Sequence, residues 1–511
     1  MLPSYGGTAQ VWTTCIVFFQ TALLFGYLYA HILRRLTSPF VSGLVHFVSA
    51  ACGLLLVNLG SLSSATGLGH MGFAIFYQLS AAIGLAFCSL AATGPLVQSW
   101  HATQYSERDT YRLYAWSNCG SMLALVSYPF AVERLGMSVQ QTAWTIGYIL
   151  YLVMLCLSVW QSRGVVSWIE ADRLQELDDA QGVIKIVRWL SWAILASIGS
   201  VILIASTNVL CQEVASHPFL WVLPLTMYLL SFIVAFEKPN WYRRRIVHAL
   251  FTASVFAAIL LFHLGTNAGL VAQLIGFATI TFIGTFICHG ELYRMRPGKD
   301  SLTSFYLSIA AGGAIGGLGT AFIPPVLFNG YFEFQVGLLA CLLFSSMIVG
   351  FEYFSVPKTC LRNSCSQVFM LMVAAMPVIC SLVFYLDKNF HKDLLFQGRN
   401  HYGIVAVTED EQFRRMINGQ THHGGQFVDQ GRRNEPSAYY SSGSGVDVAF
   451  QIARKRRKAR KAEQVSPVGL NVGVIGLGTG AMLSYRSPDD LFRFYEINPM
   501  VESVAREYFD I

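Results

Sequence analysis

From Met1 to about Leu386 the chain repeats one pattern: an apolar run of about 20 residues, a short polar break, then another run. No other feature limits the fold as strongly. About 20 residues of α-helix reach across the hydrocarbon core of a bilayer, and inside that core each segment must pair its own backbone groups. Such runs lie near 10–33, 39–60, 71–96, 112–132, 141–160, 188–210, 216–236, 246–264, 268–290, 302–324, 333–354 and 368–386. They predict an α-helical polytopic membrane bundle of about 12 spans. Composition excludes a soluble chain: 54% of the 511 residues are apolar and only 13% are charged, whereas soluble domains carry about 25% charged residues. The mean hydropathy is +0.48. From Asp387 onward the chain is polar, charged and Gly-rich. That shift predicts a transmembrane domain over 1–386, a small β-rich region over 387–465 and a ligand-binding region over 466–511.

The loops carry orientation. Arg34, Arg35, Arg108, Arg112, Arg163, Arg173, Lys185, Arg188, Lys238, Arg243, Arg244, Arg245, Arg294, Arg296, Lys299, Lys358 and Arg362 follow odd-numbered spans, while Arg134 is the exception after an even one. The positive-inside rule therefore puts the odd loops in the cytoplasm and Met1 outside. Twelve crossings would leave the C-terminal piece outside too. The run 368–386 is short and holds Pro377, so we expect it not to cross, which returns the C-terminal piece to the cytoplasm. A long amphipathic loop, about 161–188, divides the helices into two sets. In the tenth run, Ala311–Gly319 (AGGAIGGLG) has small residues spaced for close helix packing. Gln20, Gln78 and Asn118 either line a substrate path or make single interhelical hydrogen bonds. No intramembrane carboxylate pair stands out; Glu133, Glu213 and Glu291 fall at helix ends. The 11 cysteines are scattered, with no CxxC, and read as small apolar residues. The basic run Ala453–Lys461 (ARKRRKARK) reads as a solvated face that anionic lipid can meet; no nucleic-acid partner is expected.

Beyond Tyr402 the pattern shortens to strands. Ile404–Thr408 is one, and Gln426–Val428 is a weaker one. Between them INGQTHHGGQ (Ile417–Gln426) reads as a Gly-rich turn. Adjacent side chains of a strand point to opposite faces, so His422 and His423 make a poor chelating pair and no metal is expected. One of them, His422, is a candidate for facing a substrate. The most informative stretch is Asn471–Ile511. NVGVI reads as a buried strand, GLGTG as a tight loop opening a helix, and LFRFYEI as a second strand ending in Glu496. Gly476, Gly478 and Gly480 permit the turn and a close ligand approach, a helix N-terminus would attract an anion, and Glu496 can accept ribose hydroxyls. The unit is expected to bind a nucleoside. GLGTGA also satisfies the dinucleotide pattern GxGxxA, so spacing leaves both an NAD-type and an S-adenosyl ligand open.

Several longer runs carry a resemblance. They are LPSYGGTAQVWTTCIVFFQ (Leu2–Gln20), HPFLWVLPLTMYLLSF (His217–Phe232), CHGELYRMRP (Cys288–Pro297), LTSFYLSIAAGGAIGG (Leu302–Gly317), RNHYGIVAV (Arg399–Val407), EPSAYY (Glu435–Tyr440), GVIGLGTG and YEINP (Tyr495–Pro499). In these runs the chain resembles the membrane-fused spermidine synthase-like proteins, in which a transporter-like helical domain precedes a polyamine aminopropyltransferase-type domain. The resemblance implies aminopropyl transfer from decarboxylated S-adenosylmethionine to a polyamine, with no metal. It implies the first β-α-β of a Rossmann-like S-adenosyl-binding domain over the last segment. Gly476, Gly478 and Gly480 match the family's glycine loop and Glu496 its ribose-binding acid. Tyr402 with Gly403 stands where soluble synthases have Tyr-Gln, and Tyr439 with Tyr440 where they have Tyr-His; these tyrosines are candidate substrate residues. Asn498 replaces the Asp of Glu-Ile-Asp. Against the family pattern the chain looks cut at both ends, the catalytic Asp region would lie past Ile511, and turnover by this chain is not expected. The implied partners are the bilayer of the cell (inner) membrane and a small polyamine, with homo-oligomerisation left open. The alternatives are a polyamine or small-cation transporter and an NAD-binding membrane protein.

Overall fold

The computed structural model describes residues 9–59, 71–104, 107–164, 182–214, 220–264, 268–298, 301–355, 371–373, 375–376, 378–379, 381, 393–400, 402–418, 421–461 and 469–511. They fall into two compact units, one within Met1–Pro324 and Tyr331–Ser381, the other within Pro325–Gly330 and Leu382–Ile511.

The first unit is helical. Its elements are α1 (Ala9–Leu36), α2 (Pro39–Leu59), α3 (Met71–Leu79), α4 (Leu85–Gln104), α5 (Glu107–Ser127), α6 (Met137–Gln161), α7 (Gly182–Asn208), α8 (Val222–Glu237), α9 (Arg244–Leu264), α10 (Leu270–Arg294), α11 (Leu302–Phe322) and α12 (Glu333–Ser355). A π-turn at Ser80–Gly84 joins α3 to α4, and π-turns extend α5 and α7. Large apolar side chains such as Leu150 (56%) and Met347 (67%) stand exposed, as a lipid-facing surface requires. Arg34 and Arg35 close α1, where positive charge offsets the partial negative charge of the helix end. Among the described residues nine helical segments are long and apolar enough to cross a membrane, which makes this a multi-pass membrane protein.

Among the described residues the count falls short of the expected 12 or so, for three reasons. The 112–132 region is helical, but α5 opens on Glu107, Arg108, Asp109 and Arg112. The helix within 216–236, α8, is apolar but only 16 residues long, short of the roughly 20 needed to span. The 368–386 run falls largely outside the described residues, as do most of the 161–188 loop and the first residues of the LPSYGG motif.

The two helix sets meet chiefly where α1 packs on α11 and α5 on α8. Within the second set α11 lies close along α7, and the glycines of AGGAIGGLG make that approach possible. A Cβ at Gly312 would overlap the Ala193 carbonyl, and one at Gly316 the Ser197 carbonyl. The helix backbones therefore touch there, which only glycine allows.

The second unit holds a four-stranded antiparallel sheet in the order β1 (Leu394–Asn400), β2 (Gly403–Glu409), β3 (Phe413–Asn418), β4 (Thr421–Phe427). The stretch expected as a turn, INGQTHHGGQ, is instead the β3–β4 hairpin, with Ile417 paired to His422 and Asn418 to Thr421. Helix α13 (Gly445–Lys461) carries the basic run. A parallel pair, β5 (Asn471–Ile475) and β6 (Leu491–Tyr495), precedes α14 (Pro499–Tyr508). Val501, Val504 and Ala505 of α14 pack against Val405, Val407 and Met416 of the four-stranded sheet. The β-rich region and the last segment thus share one core.

Candidate functional site

In the second unit the chemistry gathers at the carboxyl ends of β5 and β6. Gly476 (φ 89°), Gly478 (φ 55°) and Gly480 (φ 72°) all lie in the left-handed region that side chains avoid. The Gly476 N–H donates to the Tyr495 carbonyl at 2.9 Å. The Leu477 N–H donates to Glu496 Oε2 at 2.8 Å, and the Asn498 N–H to Oε1 at 2.9 Å. Glu496 is therefore aimed by backbone amides at the mouth of the loop, and each of its oxygens keeps a free lone pair. The glycines have different neighbours. A Cβ at Gly478 would meet the His423 carbonyl oxygen at 2.5 Å, whereas one at Gly476 would meet nothing within 4 Å. The open side of the loop is at Gly476.

The helix expected after the loop does not form. Ala481–Tyr485 is a single 3-10 turn. Only residues 481–490 separate the loop from β6, and they include Pro488. The glycine loop takes up 476–480 of the connection, and Pro488 disfavours helix from the other end. The anion-attracting helix N-terminus is thus absent at this position.

The remaining candidate residues are spread around the loop. His422 and His423 are both exposed on β4, and it is the backbone carbonyl of His423 that lies against Gly478 of the loop. Partial desolvation lowers the His423 pKa, the Glu496 charge opposes this and the His422 charge adds to it. Tyr402 has its N–H on Asn400 Oδ1 (2.8 Å), and Asn400 Nδ2 donates to Asn498 Oδ1 (2.6 Å). Asn498 caps α14 by accepting from the Met500 N–H at 3.1 Å. Asn serves that role as well as Asp does, which accounts for the departure at this position. Tyr439 is exposed, and the Tyr440 carbonyl accepts from the Tyr485 hydroxyl at 2.5 Å.

In the membrane unit, polar and aromatic groups are buried where the two helix sets meet. The Tyr306 hydroxyl (α11) donates to Gln98 Oε1 (α4) at 2.5 Å, and the Tyr306 ring stacks on Tyr114 of α5 at 4.9 Å. Tyr27 of α1 stands edge-on to Tyr306 at 6.4 Å. Tyr114 also meets Phe232 of α8, which stacks on His289 of α10 at 3.4 Å. His289 is fully buried, and its Nε2 has no hydrogen-bond partner among the described residues. An orphaned buried acceptor costs about 1–3 kcal/mol. Arg112 and Glu237 close the α5–α8 contact with bonds of 2.6–3.1 Å. Of the polar residues expected within helices, Gln20 lies at the α1–α11 contact beside Gly313 and Gly317. Asn118 is satisfied within its own helix by the Tyr114 carbonyl at 2.8 Å.

Glu291 lies in the last turn of α10, as expected, and is buried there. Its buried carboxylate accepts from Arg244 Nε (2.7 Å), Arg244 Nη2 (2.5 Å) and the Tyr242 hydroxyl (2.6 Å). The sequence signal for both buried groups is the CHGELYRMRP run, which sets a histidine and a carboxylate inside an apolar helix.

No protein-family profile matches the chain, and no curated protein does. The solved structures similar to it include FucP, a Major Facilitator Superfamily (MFS) transporter in the outward conformation, at 14% identity and TM-score 0.32, covering 73% of this chain and 89% of that one. A variant of the E. coli fucose:proton symporter FucP is similar at 14% identity and TM-score 0.29, covering 75% and 95%. Similarity at these scores carries no assignment. Aminopropyl transfer stands on the sequence motifs alone.

Proposed function

We propose that the membrane unit carries a small polar solute across the bilayer of the cell (inner) membrane, along the contact between its two helix sets. The observation that supports this is the polar and aromatic cluster at that contact, Tyr27, Gln98, Tyr114 and Tyr306, of which Tyr27, Gln98 and Tyr306 are buried. A bundle that served only as an anchor has no use for buried polar side chains at that contact. The family resemblance suggests a polyamine as the solute. Sided accessibility tests the reading. With Tyr114→Cys in a cysteine-free background, impermeant thiol reagents should reach the position from each face of the membrane, as the contact opens alternately. Protection from both faces would leave the helices as a scaffold.

A second reading concerns the C-terminal unit. The open space at Gly476 beside the amide-held Glu496 favours a nucleoside ligand there, with decarboxylated S-adenosylmethionine as the co-substrate the resemblance implies. Calorimetric titration should give tighter binding of S-adenosyl compounds than of NADH, and Glu496→Ala should weaken it by about 1–3 kcal/mol. Preference for NADH would reverse the ligand assignment. We place this unit in the cytoplasm. Labelling of Ser441→Cys by an impermeant reagent in intact cells would move it outside.

A further inference from the structure

Helix α13 has two sides of different character. One is committed to the rest of its unit. Phe450 is buried and stacks on Tyr485 at 5.0 Å and on Phe492 of β6 at 5.9 Å. One turn on, Arg454 Nη2 donates to Asp490 Oδ2 at 2.7 Å and to the Tyr485 carbonyl at 2.6 Å. Asp447, the one acid in the α13 sequence, is buried and accepts from the Gly443 N–H at 2.7 Å, which ties down the start of the helix. These contacts fix the rotation of α13 about its axis and leave its opposite side uncovered among the described residues.

That opposite side is amphipathic along its length. At 3.6 residues per turn, Val448, Ile452, Lys455 and Arg456 all fall within about 60° of the direction opposite Phe450. Val448 is 46% and Ile452 47% exposed, and Lys455 and Arg456 are exposed with them. The outward stripe thus begins with two aliphatic side chains one turn apart and continues as cations. No acid of α13 interrupts it, and in sequence the basic run goes on to Lys461. A lipid surface has the matching layers, phosphates above and acyl chains just beneath. Basic side chains reach the phosphates while their methylene stems lie along apolar surface. A nucleic acid offers phosphates without an aliphatic layer for Val448 and Ile452 to enter. The helical bundle on the same chain spans a bilayer, so lipid is at hand at high effective concentration.

We infer that α13 docks on an anionic lipid surface, with Val448 and Ile452 entering the boundary between headgroups and acyl chains and Lys455 and Arg456 meeting lipid phosphates. The inference goes beyond the carrier and nucleoside readings and stands without either.

The test places a nitrobenzoxadiazole fluorophore on Ile452→Cys, in the full chain lacking its other cysteines. The protein is reconstituted in nanodiscs of phosphatidylcholine alone or of phosphatidylcholine and phosphatidylglycerol in equal parts. Both leaflets of a disc have the same lipids, so the outcome does not depend on which side of the membrane the unit faces. In the mixed discs the emission should shift to the blue and be quenched by spin-labelled lipid. In phosphatidylcholine alone it should match the probe in water. Salt at about 1 M, where charges are screened beyond about 3 Å, should reverse the shift. Lys455→Glu combined with Arg456→Glu should abolish it with the melting temperature unchanged, and a probe moved to Val448→Cys should repeat the lipid dependence. No shift in either disc, an equal shift in both, or a shift retained in the charge-reversed variant each overturns the inference. A shift produced by single-stranded RNA over phosphatidylcholine discs, with none from phosphatidylglycerol, overturns it in favour of nucleic acid.

Discussion

Two glycines two positions apart in the same loop, Gly476 and Gly478, have different work to do. Gly478 fits under the His423 carbonyl, while Gly476 faces open space, and both have positive φ. Gly478→Ala should therefore destabilise the second unit, by about 1–3 kcal/mol of backbone strain and further through contact with β4. Gly476→Ala carries the strain without the contact and should lose more in ligand affinity than in stability. Thermal melts paired with S-adenosyl titration separate the two; equal losses of stability at both positions would contradict the geometry. Sequence reasoning located the loop and Glu496 because glycine spacing between two strands is a local signal. It chose His422 over His423, because a local alternation does not tell which face of β4 meets another strand's loop. The orphaned His289 Nε2 was equally out of reach, being a property of tertiary packing.

At the scale of elements, apolar runs were legible as helices because length and hydropathy alone decide them. The helix after the glycine loop was not: Pro488 stands between the loop and β6, and a 3-10 turn forms there instead. β1 and β3 were also unread: LLFQGRN and FRRMIN do not alternate, and their sheet partners supply what the pattern lacks. Packing of α7 on α11 makes a clear prediction. Gly316→Ala should cost about 1–3 kcal/mol by forcing the backbones apart, whereas Gly319→Ala, with only the Ile323 side chain 3.9 Å away, should be neutral in a detergent melt. The basic helix α13 is held to the β5–β6 pair by Asp490. That carboxylate accepts from Arg454 (2.7 Å) and from the Leu470 (2.6 Å) and Ser487 (2.8 Å) amides. Burial raises its pKa, but these donors outweigh burial and hold it below the ordinary carboxylate value. A depressed folded pKa means that its stabilisation is full above about pH 4, the unfolded value. It is lost as pH falls through the folded value. Asp490→Asn should flatten this acid limb of the second unit's melting profile, and an unchanged limb would show that other groups set it.

For the molecule as a whole, the two units pose separate questions: solute passage along the helix contact, and nucleoside binding at the glycine loop. At this scale the sequence signal is the polarity shift near Asp387. The number of spans was less legible, since α5 and α8 are helices whose polarity or length falls short of a lone span and whose place comes from packing on each other. The carrier reading is the central claim, and solute counterflow tests it most directly. Full-length chain in proteoliposomes preloaded with unlabelled putrescine, a hexose or a dicarboxylate would be diluted into the same solute in labelled form. The account predicts transient accumulation of label for putrescine. Traces indistinguishable from protein-free liposomes for every solute, from folded protein, would contradict it.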